Sequence, residues 1–65
     1  MKEDNEVRIL RYALDRALDQ ARVINEHITN AYSLGKIATA EKLQKELDEE
    51  NKLIAYIKQK RDILS

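Results

Sequence analysis

The chain contains no cysteine, proline, phenylalanine or tryptophan, and its 65 residues include a single glycine, Gly35. Each absence removes possibilities. Without cysteine there is no disulfide staple and no thiolate zinc site, and the redox compartment is left unconstrained. His27 is the only histidine, and one imidazole cannot supply the clustered ligands of a structural metal site, so no metal and no cofactor are expected. No apolar run approaches the length of a membrane span. The opening Met1–Glu6 is polar and acidic with no 7–15-residue apolar stretch behind it, so a cytoplasmic chain away from the membrane is expected. Charge of one sign is also missing, because twelve basic residues balance twelve acidic ones. A dedicated nucleic-acid binder usually carries a net positive field, so any such role here needs a local patch.

What is present is helical periodicity on a short chain. A length of 65 residues allows one domain, spanning 1–65. Val7, Leu10, Leu14, Ala17, Ala21, Ile24, Ile28 and Ala31 follow one another at steps of three and four, the seam of a helix that lies along another helix. Gly35 offers the cheapest left-handed backbone in the chain and fits a helix C-terminus. Beyond it the seam resumes at Ala40, Leu43, Leu47, Ile54, Ile57 and Leu64, with Glu50 and Arg61 in the same register. The second helix can start at Lys36 or after Thr39, whose hydroxyl can cap the next turn. Glu41–Lys45, Lys45–Glu49 and Asp48–Lys52 are opposite charges four apart, each adding only ~0.2–0.5 kcal/mol of helix stability.

These features predict an all-α fold, a two-helix antiparallel hairpin with helices over about 5–33 and 37–63. Folded back at Gly35, Ala31 faces Ala40, Ile24 faces Leu47, Ala17 faces Ile54 and Leu14 faces Ile57. Glu50 falls opposite Ala21 and is expected to lean outward across the small alanine, since a carboxylate does not stay unpaired inside. One seam does not use all the apolar residues. Ile9, Tyr12, Ala13 and Val23 flank the first seam on one side, and Leu18 and Tyr32 flank it on the other. Leu53, Tyr56 and Ile63 form a second stripe on the other helix. Such side faces suit a four-helix bundle completed by homodimerisation, with twofold symmetry the default.

The expected function is that of a small protein-interaction or regulatory module acting through a bundle surface, without catalysis. The candidate interface is Ile9, Tyr12, Ala13, Val23, Leu53, Tyr56 and Ile63, with the tyrosines as contact hot spots because their rings pack while their hydroxyls stay wet. A catalytic arrangement needs a hydroxyl beside His27, and neither Thr29 nor Ser33 reaches it within its own helix. The alternative is RNA or DNA binding. Glu41–Glu50 holds five acids against two lysines, whereas Asn51–Arg61 holds four basic residues and no acid. Lys58, Lys60 and Arg61 then share the tip opposite the turn with Arg8, Arg11 and Arg16, although the negative end of the helix dipole explains part of that cluster.

The stretch Gln44-Lys45-Glu46-Leu47-Asp48 resembles the Ser-x-x-Leu-Asp signature of small helical-hairpin phosphatases that act on sporulation response regulators. Gln44 stands where that signature has serine, and the apolar pair expected after the aspartate is displaced to Leu53-Ile54. The phosphatase role is therefore not carried onto Asp48. Plasmid copy-control proteins that bind RNA as dimers of short hairpins share the inferred architecture, which is an analogy of fold alone.

Overall fold

The computed structural model describes residues 5–64. Helix α1 runs over Asn5–Ser33 and helix α2 over Ile37–Leu64, and no strand occurs among the described residues. The two pack side by side as an antiparallel pair, each about 42 Å long at ~1.5 Å rise per residue, in a rod of 52 × 15 × 11 Å.

Three residues reverse the chain. Gly35 takes φ of 72°, the left-handed conformation expected of it. Around it the Gly35 amide donates to the Tyr32 carbonyl at 3.0 Å and the Lys36 amide to the Ala31 carbonyl at 2.8 Å. This nested pair is the Schellman arrangement, which satisfies carbonyls left over at a helix end. The Ala40 amide then donates to the Lys36 carbonyl at 3.0 Å. The ladder of α2 therefore begins from Lys36, and Thr39 lies inside the first turn instead of capping it.

Burial follows the seam. Leu14, Ala17, Ile24, Ile28 and Ala31 of α1 and Ala40, Ile54 and Ile57 of α2 are buried. Val7, Leu10, Ala21, Leu43 and Leu47 are half-buried, as are Glu50 and Arg61. Leu14, Ala17, Ile54 and Ile57 form the central cluster, with Leu10, Ala13 and Ala21 against it. Small residues decide how closely the helices meet. Ala40 is fully buried beside the turn, where a larger side chain at 31 or 40 would force the axes apart. Toward the open end the seam loosens. Leu64, placed inside by the heptad pattern, is 43% exposed, and its counterpart Val7 is only half-buried. Arg61 holds its place in the seam with its guanidinium 3.6 Å from Asp62, its aliphatic stem covering apolar surface while the charge stays wet.

None of the three expected ion pairs, Glu41–Lys45, Lys45–Glu49 and Asp48–Lys52, forms among the described residues. Lys52 lies 3.4 Å from Glu49 and not on Asp48, which accepts a hydrogen bond from Gln44 Nε2 at 3.2 Å. Asp19 and Arg22 make a similar pair at 3.7 Å. All are solvated and contribute little to stability, so the fold rests on the seam and the turn.

Two substitutions separate those contributions. Ile57→Ala should destabilise by ~2–5 kcal/mol through the lost aliphatic burial and the cavity left behind. Gly35→Ala should cost about 1–2 kcal/mol from the left-handed backbone alone, because a Cβ at Gly35 meets nothing within 4 Å. Urea unfolding followed by circular dichroism measures both. A neutral Gly35→Ala would show that the turn relaxes away from its Schellman form.

Candidate functional site

Two helices in contact leave two long sides, and in this hairpin the sides differ. With the seam fixed by burial, a rotation of about 100° per residue puts Asp15, Arg22, Gln44, Asp48 and Asn51 on one side, where Leu18 and Tyr32 are the large apolar residues. The other side is a groove of about 760 Å³, lined from α1 by Tyr12, Ala13, Arg16, Ala17, Asp19, Gln20 and Val23, and from α2 by Glu50, Leu53, Tyr56 and Ile57. Ala13 and Ala17 form part of its floor, because their short side chains leave the space that the neighbouring rings and aliphatic groups border.

Five of the seven residues singled out in the sequence, Tyr12, Ala13, Val23, Leu53 and Tyr56, thus border one groove although they come from two helices. Ile9 lies in an adjoining hollow of about 430 Å³ with Leu10, Tyr56, Lys60 and Leu64, so the apolar surface continues toward the open end. Ile63 borders neither hollow and is 70% exposed. Tyr12 and Ile9 are about two-thirds exposed, and Tyr56 and Leu53 about half. On this side the exposed apolar side chains are neighbours and not scattered singly. Leu34 and Ile37, exposed at the turn, add an apolar tip that the heptad reading did not single out.

The basic residues do not make a single patch. Arg8 and Arg11 border a hollow on the outer side of α1 with Asn5, Ile9, Tyr12 and Asp15. Lys58 is exposed on the polar side and Arg61 sits in the seam. Arg16 and Lys60 belong to the grooved side, where the Arg16 guanidinium stands 6.0 Å from the Tyr12 ring and the Lys60 ammonium 5.6 Å from the Tyr56 ring. Each cation–π contact contributes ~0.5–1 kcal/mol at an exposed site, and together they hold both tyrosines along the groove edges. The sequence reading assigned these two cations to a basic tip and missed the contacts. Their signal was present, since 12 and 16, like 56 and 60, are four apart on a helix.

Glu50 is the polar residue of the groove floor. It is half-buried opposite Ala21, as the register requires. No side-chain nitrogen or oxygen is buried without a partner among the described residues, so its carboxylate reaches water through the groove mouth. His27 is exposed, and the Thr29 hydroxyl near it donates to the Asn25 carbonyl of its own helix at 3.2 Å. Among the described residues no group of three His, Cys, Asp or Glu side chains is arranged to hold a metal ion, and no helix is long and apolar enough to cross a membrane.

No protein family, curated protein or solved structure matches the chain.

Glu50→Leu tests the cost of the polar floor. It should raise stability by about 1 kcal/mol, the burial of an aliphatic side chain discounted for a half-open site, measured as a higher urea midpoint. An unchanged or lower midpoint would show that the carboxylate makes a favourable contact that the leucine removes.

Proposed function

We propose that the chain is a small protein-interaction module that acts through its grooved side, by presenting a surface and not by catalysing a reaction, and that it pairs with a second copy into a four-helix bundle. The observation that carries this reading is the joining of Tyr12, Ala13, Val23, Leu53 and Tyr56 from two helices into one apolar groove. The thinness of the hairpin supports it. A rod 11 Å across in its smallest dimension is a single layer of paired helices and covers each helix on one side only. Ordering about sixty residues against so narrow a seam costs ~1.5 kcal/mol each in conformational entropy, and further burial along the groove offsets part of that. Tyrosines flanked by aliphatic residues and rimmed by charge also match the composition of contact surfaces, where aromatic side chains carry much of the binding energy.

The test replaces two groove residues that the seam does not need. Sedimentation equilibrium of the native chain at micromolar concentration should give twice the 7.6 kDa chain mass, and its melting temperature should rise with concentration. Leu53→Lys combined with Tyr56→Lys should abolish assembly, because a twofold interface receives each unpaired charge twice. The double variant should stay helical, melt lower and lose the concentration dependence. A native chain that melts cooperatively as a monomer, at one temperature across the series, would overturn the dimer.

Nucleic-acid binding is the second reading; it rests on Arg8, Arg11, Arg16, Lys58, Lys60 and Arg61, which share the half of the hairpin away from the turn but lie on different sides of it. It predicts a mobility shift with duplex DNA or structured RNA at low salt that fades steeply as salt rises. No shift with either probe at low salt would remove it.

A further inference from the structure

The geometry points to a specific partner and orientation for the groove: a second copy of the chain laid across it antiparallel, α1 on α1 and α2 on α2. This rests on the interaction reading above and goes beyond it by fixing which residues meet. Two identical hairpins can close face to face by a twofold that lies in the plane of the contact, directed either along the hairpin or across it. Along the hairpin, each α1 would lie on the α2 of the second copy with both turns at the same end. Across it, each helix would lie on its own counterpart with the turns at opposite ends.

Charge distinguishes the two. Helix α2 is electrically lopsided: Glu41, Glu46, Asp48, Glu49 and Glu50 outnumber Lys42 and Lys45 on the turn side of its centre, and Lys52, Lys58, Lys60 and Arg61 outnumber Asp62 on the other. Its neighbour α1 does not cancel this, because Arg8, Arg11 and Arg16 outnumber Glu6 and Asp15 on the positive half, while Asp19 and Glu26 outnumber Arg22 on the negative half. A parallel pairing stacks positive half on positive half and negative on negative. The antiparallel pairing sets each positive half over a negative one, and such field complementarity fixes orientation at interfaces.

The apolar residues select the same arrangement and its register. Leu53 and Tyr56 are equidistant from a point between Ile54 and Ala55, and so are Glu49 and Lys60. A twofold through that point lays Leu53 on the Tyr56 ring of the second copy and Lys60 against its Glu49. The position of the axis on α1 is then no longer free. Ala17 shares the central cluster with Ile54 and faces it in the heptad register, so the axis crosses α1 beside Ala17. Positions equidistant from there include Ala13 and Gln20, a small residue against a long one, and, to within one residue, Ile9 and Val23. Four apolar residues of the grooved side and one ion pair thus fall into place from a single axis. Arg16 lies close to the axis and approaches its own copy there, where Asp19 of the second copy, a turn away in the groove lining, supplies the opposite charge. Lys52 holds Glu49 only as an exposed pair, so Glu49 can turn to Lys60 at little cost.

Charge reversal tests the orientation. Lys60→Glu and Glu49→Lys should each weaken self-association about tenfold, since each places like charges together twice in the dimer. Mixed in equal amounts, the two variants should form a heterodimer of native affinity, because every reversed charge then meets its complement. Chains carrying Glu49→Cys and Lys60→Cys, mixed and oxidised, should yield the mixed disulfide, and neither should link efficiently to itself. In a parallel pairing positions 49 and 60 lie about 16 Å apart along the bundle, so the mixture would gain nothing and the mixed disulfide would not form. A dimeric native chain with that result overturns the orientation alone. A native chain that stays monomeric overturns the orientation and the dimer together.

Discussion

The left-handed backbone at Gly35 sets the register on which every other contact in the hairpin depends. The two hydrogen bonds around it, from Gly35 to Tyr32 and from Lys36 to Ala31, fix where α2 starts relative to where α1 stops. With Ala31 and Ala40 both buried beside it, the helix axes begin close together. From there the heptad spacing carries the pairing outward, Ile28 and Ile24 toward Leu43 and Leu47, then Ala17 and Leu14 toward Ile54 and Ile57. A shift of one residue at the turn would rotate α2 by about 100° and move its seam residues off the shared line. The apolar side would then have no partner side on α2, and the groove would not exist.

Being a single layer of two helices gives the molecule its exposed chemistry. A bundle interior can enclose a residue from several directions, but here Ala40 is the one side chain fully removed from water among the described residues, and each large aliphatic residue of the seam keeps some contact with solvent. The same thinness explains why Glu50 and Arg61 are tolerated in the seam. Each is half-buried, near enough to an edge for its charge to escape while its methylene groups pack. The cost of that tolerance is a weaker seam in the middle and outer parts of α2, and the grooved side is where added burial can offset it.

Most of the fold was legible because the pattern was clean. Eight seam positions in α1 at steps of three and four, one glycine and no proline leave little besides a hairpin. The role of Thr39 at the start of α2 was not legible, because a threonine three residues inside a helix and a threonine capping one look alike in sequence until the Lys36 carbonyl is seen to accept the first helical bond. Leu64 was misplaced because periodicity carries no information about where a seam loosens. On the surface, the sequence separated Ile9, Tyr12, Ala13 and Val23 from Leu18 and Tyr32, and the paired seams already bring Tyr12 and Tyr56 within about one turn of each other across the hairpin. That proximity depends on the rotation of α2 about its own axis, which the turn determines. The cations were harder to place. A basic residue near a helix end reads as part of a charged tip, whereas Arg16 and Lys60 lie over tyrosine rings and belong to the groove.

The lack of tryptophan, combined with the placement of the tyrosines, has a spectroscopic consequence. All the near-ultraviolet absorption and intrinsic emission of the chain comes from Tyr12, Tyr32 and Tyr56. Two of these border the groove beneath a cation, while Tyr32 sits at the turn end on the opposite side, half exposed. Unlabelled protein therefore carries two chromophores at the surface of interest and one remote from it, which serves as an internal reference. Quenching by a water-soluble collider divides the emission into a shielded and an open fraction. That division follows occupancy of the groove directly, with no dye attached to a surface whose area a dye would alter.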